Sequence, residues 1–251
     1  MRRILIITIL SLMAITVSAQ VGQYRNDFAV GVNGGITMTK VNFMPKVPQD
    51  QLMGKTLGLT MRYTGEKYFN SICSIVGEVN LVETGWKERI LDMEDQPVPT
   101  LYDNNVYEQY SRKLTYIQVP VFARLGWGRE RRGVQFYFQA GPQVGFLKSE
   151  KTEMNFDINN FNYDTRSSKI YAQDTMAVEH DIDYGITAAA GLEFSYPNLG
   201  HLLLEGRYYY GLGNLYGNSK RDYFAISNFQ GIVIKMTYLF DITRTKNPKI
   251  K

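Results

Sequence analysis

Residues 114–147 read LTYIQVPVFARLGWGRERRGVQFYFQAGPQVGFL, and the alternation inside this stretch decides the fold. Thr115, Ile117, Val119, Val121, Ala123, Leu125 and Trp127 share one parity, while Tyr116, Gln118, Pro120, Phe122 and Arg124 share the other. Past a turn at 128–133 the pattern resumes: Val134, Phe136, Phe138, Ala140, Val144 and Phe146 alternate with Gln135, Tyr137, Gln139, Gly141, Gln143 and Gly145. Successive strand side chains face opposite ways, so the stretch is a hairpin with one apolar face and one face of Gln, Gly and Arg. A soluble sandwich would turn the apolar face inward; a transmembrane β-barrel turns it outward and keeps polar groups inside.

The beginning of the chain narrows the choice. Met1-Arg2-Arg3 precedes an apolar run over 4–17, and Val17-Ser18-Ala19 stands before Gln20; this order predicts a cleaved secretory signal peptide over 1–19. The run is too short for a spanning helix, which needs ~20 residues. Cleavage leaves 232 of the 251 residues and lowers the formal charge from +4 to +2, because Arg2 and Arg3 leave. So weak a balance, without a long basic run, excludes nucleic acid as a partner. The single cysteine, Cys73, excludes an internal disulfide and reads as a small apolar strand residue.

Outward from the hairpin, period-2 patterning predicts strands over 28–38, 54–63, 71–83, 182–196, 201–212 and 231–240. With the hairpin the count is eight, an even number. Connections alternate: 39–53, 84–112, 148–181 and 213–225 are long, whereas 64–69, 128–133 and 197–200 are short. All long ones then fall on one side, as in barrels with short periplasmic turns and long extracellular loops. Aromatics on the apolar parity cluster near strand ends: Phe28, Tyr63, Trp127, Phe136, Tyr196, Tyr238 and Phe240 on the short-turn side, and Phe146, Tyr184, Tyr208 and Tyr210 opposite. Tyr and Trp favour membrane interfaces, so two girdles are expected. The predicted fold is all-β: an eight-stranded, antiparallel, up-and-down transmembrane β-barrel over 20–242, followed by a short basic periplasmic tail over 243–251.

The polar parity then faces the lumen and carries Arg62, Arg124, Arg207 and Lys235 with Glu78, Glu193 and Glu205, among Gln118, Gln135, Gln139 and Gln143. Eight strands enclose a space just wide enough for side chains or one small ligand. Ionised groups there need partners, so a salt-bridged plug is expected, with a narrow proton or ion path as the sharper alternative. Glycines of this parity, Gly31, Gly35, Gly141, Gly145, Gly191 and Gly231, make room for long charged chains or for water. Gly31-Val32-Asn33-Gly34-Gly35 opens no helix and is no phosphate loop. His180 lies beside Asp181 and Asp183, but without a second histidine or a placed serine it reads as a solvated loop residue. No catalytic, cofactor-binding or metal-ligating residue is assigned. The turn Arg129-Glu130-Arg131-Arg132 is solvated or touches an anionic periplasmic surface, and the tail with Arg244, Lys246, Lys249 and Lys251 has the same two readings.

Tyr116-Ile117-Gln118-Val119-Pro120-Val121, followed by Gln139-Ala140-Gly141-Pro142-Gln143-Val144-Gly145, resembles the PorT-like outer-membrane β-barrel domain family. Gly77-Glu78-Val79, Ala190-Gly191-Leu192-Glu193 and Arg207-Tyr208-Tyr209-Tyr210-Gly211-Leu212-Gly213-Asn214 add to it. The resemblance implies an exported outer-membrane barrel and leaves its cargo or partner open. The expected function is a non-enzymatic outer-membrane protein, presenting extracellular loops for binding or serving in a larger assembly such as a protein-secretion system. A small porin-like channel comes second and a barrel enzyme third. Expected partners are outer-membrane lipid and a protein of the envelope, with no cofactor.

Overall fold

The computed structural model describes residues 22–101, 103, 105–157, 165–217 and 223–246; the expected signal peptide and the end of the tail lie outside the described residues. In chain order the elements are β1 (Gln23–Met44), β2 (Gln49–Asp50), β3 (Leu52–Tyr68), β4 (Ser71–Glu88), β5 (Tyr110–Gly128), β6 (Gly133–Met154), the single turn of helix α1 (Ala172–Thr175), β7 (Ile182–Tyr196), β8 (Gly200–Gly211) and β9 (Ile226–Thr243). No helix among the described residues is long and apolar enough to cross a membrane.

Each long strand runs antiparallel to its sequence neighbours, and β1 also pairs with β9, so the sheet closes on itself. The two-residue β2 pairs only with the end of β4, through Gln49 and Glu88. Closure removes every open edge among the long strands, and with it the unpaired backbone that hydrocarbon cannot solvate. The wall is tightly packed at several of its glycines. A Cβ on Gly31 would lie 1.8 Å from the Tyr238 carbonyl oxygen of β9. This glycine therefore serves a close approach of the wall's own backbones rather than making room in the lumen.

Parity sorts the side chains as the alternation predicts. Val32, Leu57, Leu59, Val121, Phe136, Ile186, Leu204 and Ile234 point outward and are exposed, while Asn33, Thr60, Glu78, Gln118, Gln139 and Lys235 point inward and are buried. Of the exposed aromatics, Tyr63, Trp127, Phe136, Tyr196 and Phe240 lie toward the short turns and Phe146, Tyr184, Tyr208 and Tyr210 toward the long connections, with Phe138 between the two groups.

The strands are longer than their apolar pattern. β1 and β6 have 22 residues each, about twice the 9–11 that a bilayer crossing needs. Parts of the expected loops 39–53, 84–112 and 148–181 are thus strand: Lys40–Met44 pairs with β9, and Tyr110 and Ser111 pair with Met154 and Glu153. In this overhang the outward Lys40, Asn42 and Lys87 are polar, and most inward positions turn apolar, Glu88 and Arg112 excepted. Val41, Phe43, Trp86, Tyr110, Leu114 and Tyr116 point inward and join Tyr216, Phe224 and Phe229 in one buried cluster that caps the lumen at the long-connection end. Phe43 packs edge-on against Trp86 at 5.4 Å and tilted against Phe224 at 4.8 Å. Such pairs add about 0.5–1.5 kcal/mol each beyond their buried area.

Candidate functional site

The lumen holds the candidate site. All seven charged residues singled out by parity are buried and face inward, and the closed sheet brings them into two groups. Toward the short turns, Glu193 on β7 accepts Arg62 Nη1 from β3 at 2.7 Å and pairs with Arg124 of β5. The Arg124 guanidinium lies 3.7 Å over the Tyr137 ring, which supplies a second, polarisable contact. Deeper in, Glu78 on β4 accepts Arg207 Nη1 and Nη2 from β8 at 2.8 and 2.6 Å and Lys235 Nζ from β9 at 2.6 Å. Glu205 pairs with Arg207 and accepts the Tyr137 hydroxyl at 2.9 Å and the Gln139 amide at 3.0 Å. Asn33 and Asn80 complete the belt: Asn33 Nδ2 donates to Asn80 Oδ1 at 2.9 Å, and Asn80 Nδ2 donates to Glu78 at 2.8 Å.

These bridges join strands far apart in sequence. A buried ion pair often does no better than a hydrophobic isostere, yet losing one member strands a charge in a low-dielectric space.

Beyond the seven, the amides and Tyr137, the network also takes in His201 and Asp241. His201 Nδ1 is 2.7 Å from Glu193 Oε1, and its Nε2 is 2.9 Å from Asp241 Oδ2. Both ring nitrogens face carboxylates, an arrangement that a doubly protonated ring satisfies. Ser195 Oγ also lies 2.8 Å from His201 Nδ1. The line Ser195–His201–Asp241 has the residue types of a nucleophilic triad, but Ser195 is only 2% exposed and Glu193 competes for the same nitrogen. The signal for His201 was parity, since it shares the inward face of β8 with Glu205 and Arg207. His180, by contrast, is exposed, and its backbone N–H donates to the Leu215 carbonyl. Asp183 is buried apart from it and accepts the Tyr209 hydroxyl at 2.6 Å. Among the described residues no group of three or more His, Cys, Asp or Glu is arranged to hold a metal ion.

Between the ion pairs and the aromatic cap lies a cavity of about 30 Å³, lined in part by Thr37, Thr56, Thr84, Gln118, Gln143 and Thr187. That is room for about two water molecules. Above it the cap is pinned by Arg112, whose guanidinium lies 5.6 Å over Trp86 and donates to the Gln173 carbonyl of α1 at 3.2 Å. Gln173, fully buried, donates in turn to Glu88 at 2.8 Å. Arg166 holds Glu108 at 2.7 Å and ties the connection after β6 to the one before β5.

At the opposite rim, the turn acid Glu130 receives Arg25 Nε of β1 and Lys67 Nζ of β3, each at 2.8 Å. Burial opposes ionisation of Glu130, but these two cations outweigh it and hold its carboxyl below the usual carboxylate range. Arg131 donates to the Thr245 carbonyl.

An antiparallel sheet closed on itself, apolar outside and charged inside, is the build of small transmembrane β-barrels. The family described as "Outer membrane protein beta-barrel domain" matches residues 18–217, and the chain belongs to that family. The match is to this broad family rather than to the PorT-like one, and it stops short of the closing strand β9. No curated protein matches the chain. Among solved structures, the Neisserial surface protein NspA is similar over 84% of this chain and 95% of its own, at 10% identity and a TM-score of 0.41. OprG from Pseudomonas aeruginosa is similar over 87% and 98%, at 13% identity and a TM-score of 0.39. Ail of Yersinia pestis, in complex with the heparin analogue sucrose octasulfate, is similar over 85% and 99%, at 13% identity and a TM-score of 0.34.

Proposed function

We propose that this chain is an eight-stranded, up-and-down barrel of the outer membrane, with short turns in the periplasm and long connections outside, and that it works as a non-enzymatic binding protein rather than a channel. One observation carries the reading: the outward face is a band of exposed Val, Leu, Ile and aromatic side chains, while the lumen is filled by paired charges and capped by packed aromatics. A permeating ion would have to displace Glu78 from two cations and then pass the packed rings of Phe43, Trp86 and Phe224. The long-connection end is the recognition surface. It is held rigid by α1 and the Arg166–Glu108 pair, and it exposes Met93, Leu101, Tyr107, Tyr171 and Tyr223. Loops on a rigid scaffold are where such proteins bind. The PorT-like resemblance makes a protein of a secretion assembly one candidate occupant of that surface.

Planar-bilayer recording tests the closed lumen. The purified barrel is expected to give no steady conductance, and stepwise openings from the unmodified protein would replace this reading with a small channel.

A further inference from the structure

We infer that the short-turn rim holds an anionic phospholipid of the periplasmic leaflet, with Arg129 and Arg132 on its phosphate and the outward faces of β6 and β7 under its acyl chains. The inference rests on the membrane placement proposed above. A cleft of about 470 Å³ opens between the turn 129–132 and the turn after β7, lined by Arg129, Arg132, Val134, Phe194, Tyr196 and Pro197. Its size is that of a small-ligand site.

The charges of the turn are divided in a way that points to an anion at this cleft. The turn's one acid, Glu130, is already taken by Arg25 and Lys67 on the lumen side. Arg131 is turned to the Thr245 carbonyl. Arg129 and Arg132 are exposed and, among the described residues, neither makes an ion pair. Their field at the cleft is therefore not cancelled by the protein. The Arg129 stem is laid across the turn by a backbone device: Gly133 has φ +125°, and a Cβ there would lie 2.8 Å from Arg129 Cδ. A side chain there would meet the Arg129 stem and would have to adopt a φ that L residues rarely take.

The floor of the cleft is chemically unlike its roof. Val134 and Tyr196 are exposed on the outward parity, and Val134 pairs with Phe194 across the β6–β7 ladder. The Trp127–Phe136 stack, with centroids 6.2 Å apart, continues the aromatic belt beside it. Two unneutralised guanidiniums above an apolar, aromatic wall match a phosphate joined to hydrocarbon. Free phosphate would use the roof and leave the wall in water; a lipid uses both.

The test is native mass spectrometry of the detergent-purified barrel mixed with phosphatidylglycerol, phosphatidylcholine or inorganic phosphate, with the unboiled gel shift run on every sample. Each arginine near an anionic lipid surface supplies about a factor of five in affinity. Arg129→Gln/Arg132→Gln should therefore weaken phosphatidylglycerol retention about 25-fold and leave the compact band intact. The exposed Lys151→Gln at the other end should retain lipid as the parent does. Equal retention of phosphatidylcholine, displacement of lipid by an equal concentration of inorganic phosphate, or unchanged retention in the double variant would overturn the inference. Those results would leave the barrel reading standing as long as the gel shift remains. Loss of the gel shift from the parent protein would instead bring down the membrane placement and the lipid site with it.

Discussion

Glu193→Ala removes the carboxylate on which two guanidiniums and an imidazole converge. Glu193 accepts Arg62 at 2.7 Å, pairs with Arg124 and sits 2.7 Å from His201, all of them buried. The variant leaves Arg62 and Arg124 facing one another in a space without bulk water. Breaking a buried pair by removing one partner costs about 3–5 kcal/mol. In a domain of this size each kcal/mol moves the unfolding midpoint by about 2–4 °C, so the compact form should be lost about 6–20 °C earlier. The assay follows the fraction of unboiled protein that keeps its compact gel mobility after incubation at stepped temperatures in one detergent. A companion variant, Arg62→Met/Arg124→Met/Glu193→Met, removes the charges together, and such replacements are often neutral or stabilising. It should regain most of the loss. A Glu193→Ala midpoint within about 2 °C of the parent would refute the reasoning, because a stranded pair of buried cations cannot cost so little.

Two further outcomes follow from outward parity and from the rim. Val121→Arg, near the middle of the outward face, should cost about 2–4 kcal/mol, whereas Leu202→Arg, close to the short-turn end of β8, should cost about 0–1 kcal/mol; equal costs in refolding titrations into lipid vesicles would contradict the membrane placement. Glu130 has a folded pKa below its unfolded value, so its contribution to stability is present above the ordinary carboxylate range near ~4.3 and disappears as pH falls through the depressed value. The stability gap between the parent and Glu130→Gln should therefore be open at neutral pH and close on acidification. A gap that stays constant down to pH values well below that range would show that Arg25 and Lys67 do not depend on the carboxylate.

The middle of every long strand was legible because two solvents impose opposite demands on the two faces, and period-2 alternation records that demand directly. Arg62, Glu78 and Lys235 could be placed in the lumen from parity alone, although their partners could not: which acid meets which base depends on register and tilt, and Arg207 reaches Glu78 across 129 positions of chain. Beyond the apolar band the signal fades. Past that band Lys40, Asn42 and Lys87 face outward while Val41, Phe43 and Trp86 pack inward, so the alternation reverses in hydropathy and reads as loop. For His201, parity gives the inward face but not its partners: only closure of the sheet brings Glu193 and Asp241 to its two nitrogens.

Pairing of β1 with β9 has a consequence for how the chain is made. Phe28 and Thr243 are register partners about 215 positions apart, and joining the ends of so long a segment costs about 5 kcal/mol of chain entropy before any ladder repays it. The N-terminal part, made first, cannot settle into the finished shape by itself, because the first strand waits for the last. Until β9 is in place, the apolar faces of the earlier strands are left without the closed barrel that would order them. Removing β9 would leave β1 and β8 each with a raw edge, and the predicted result is aggregation rather than a smaller barrel.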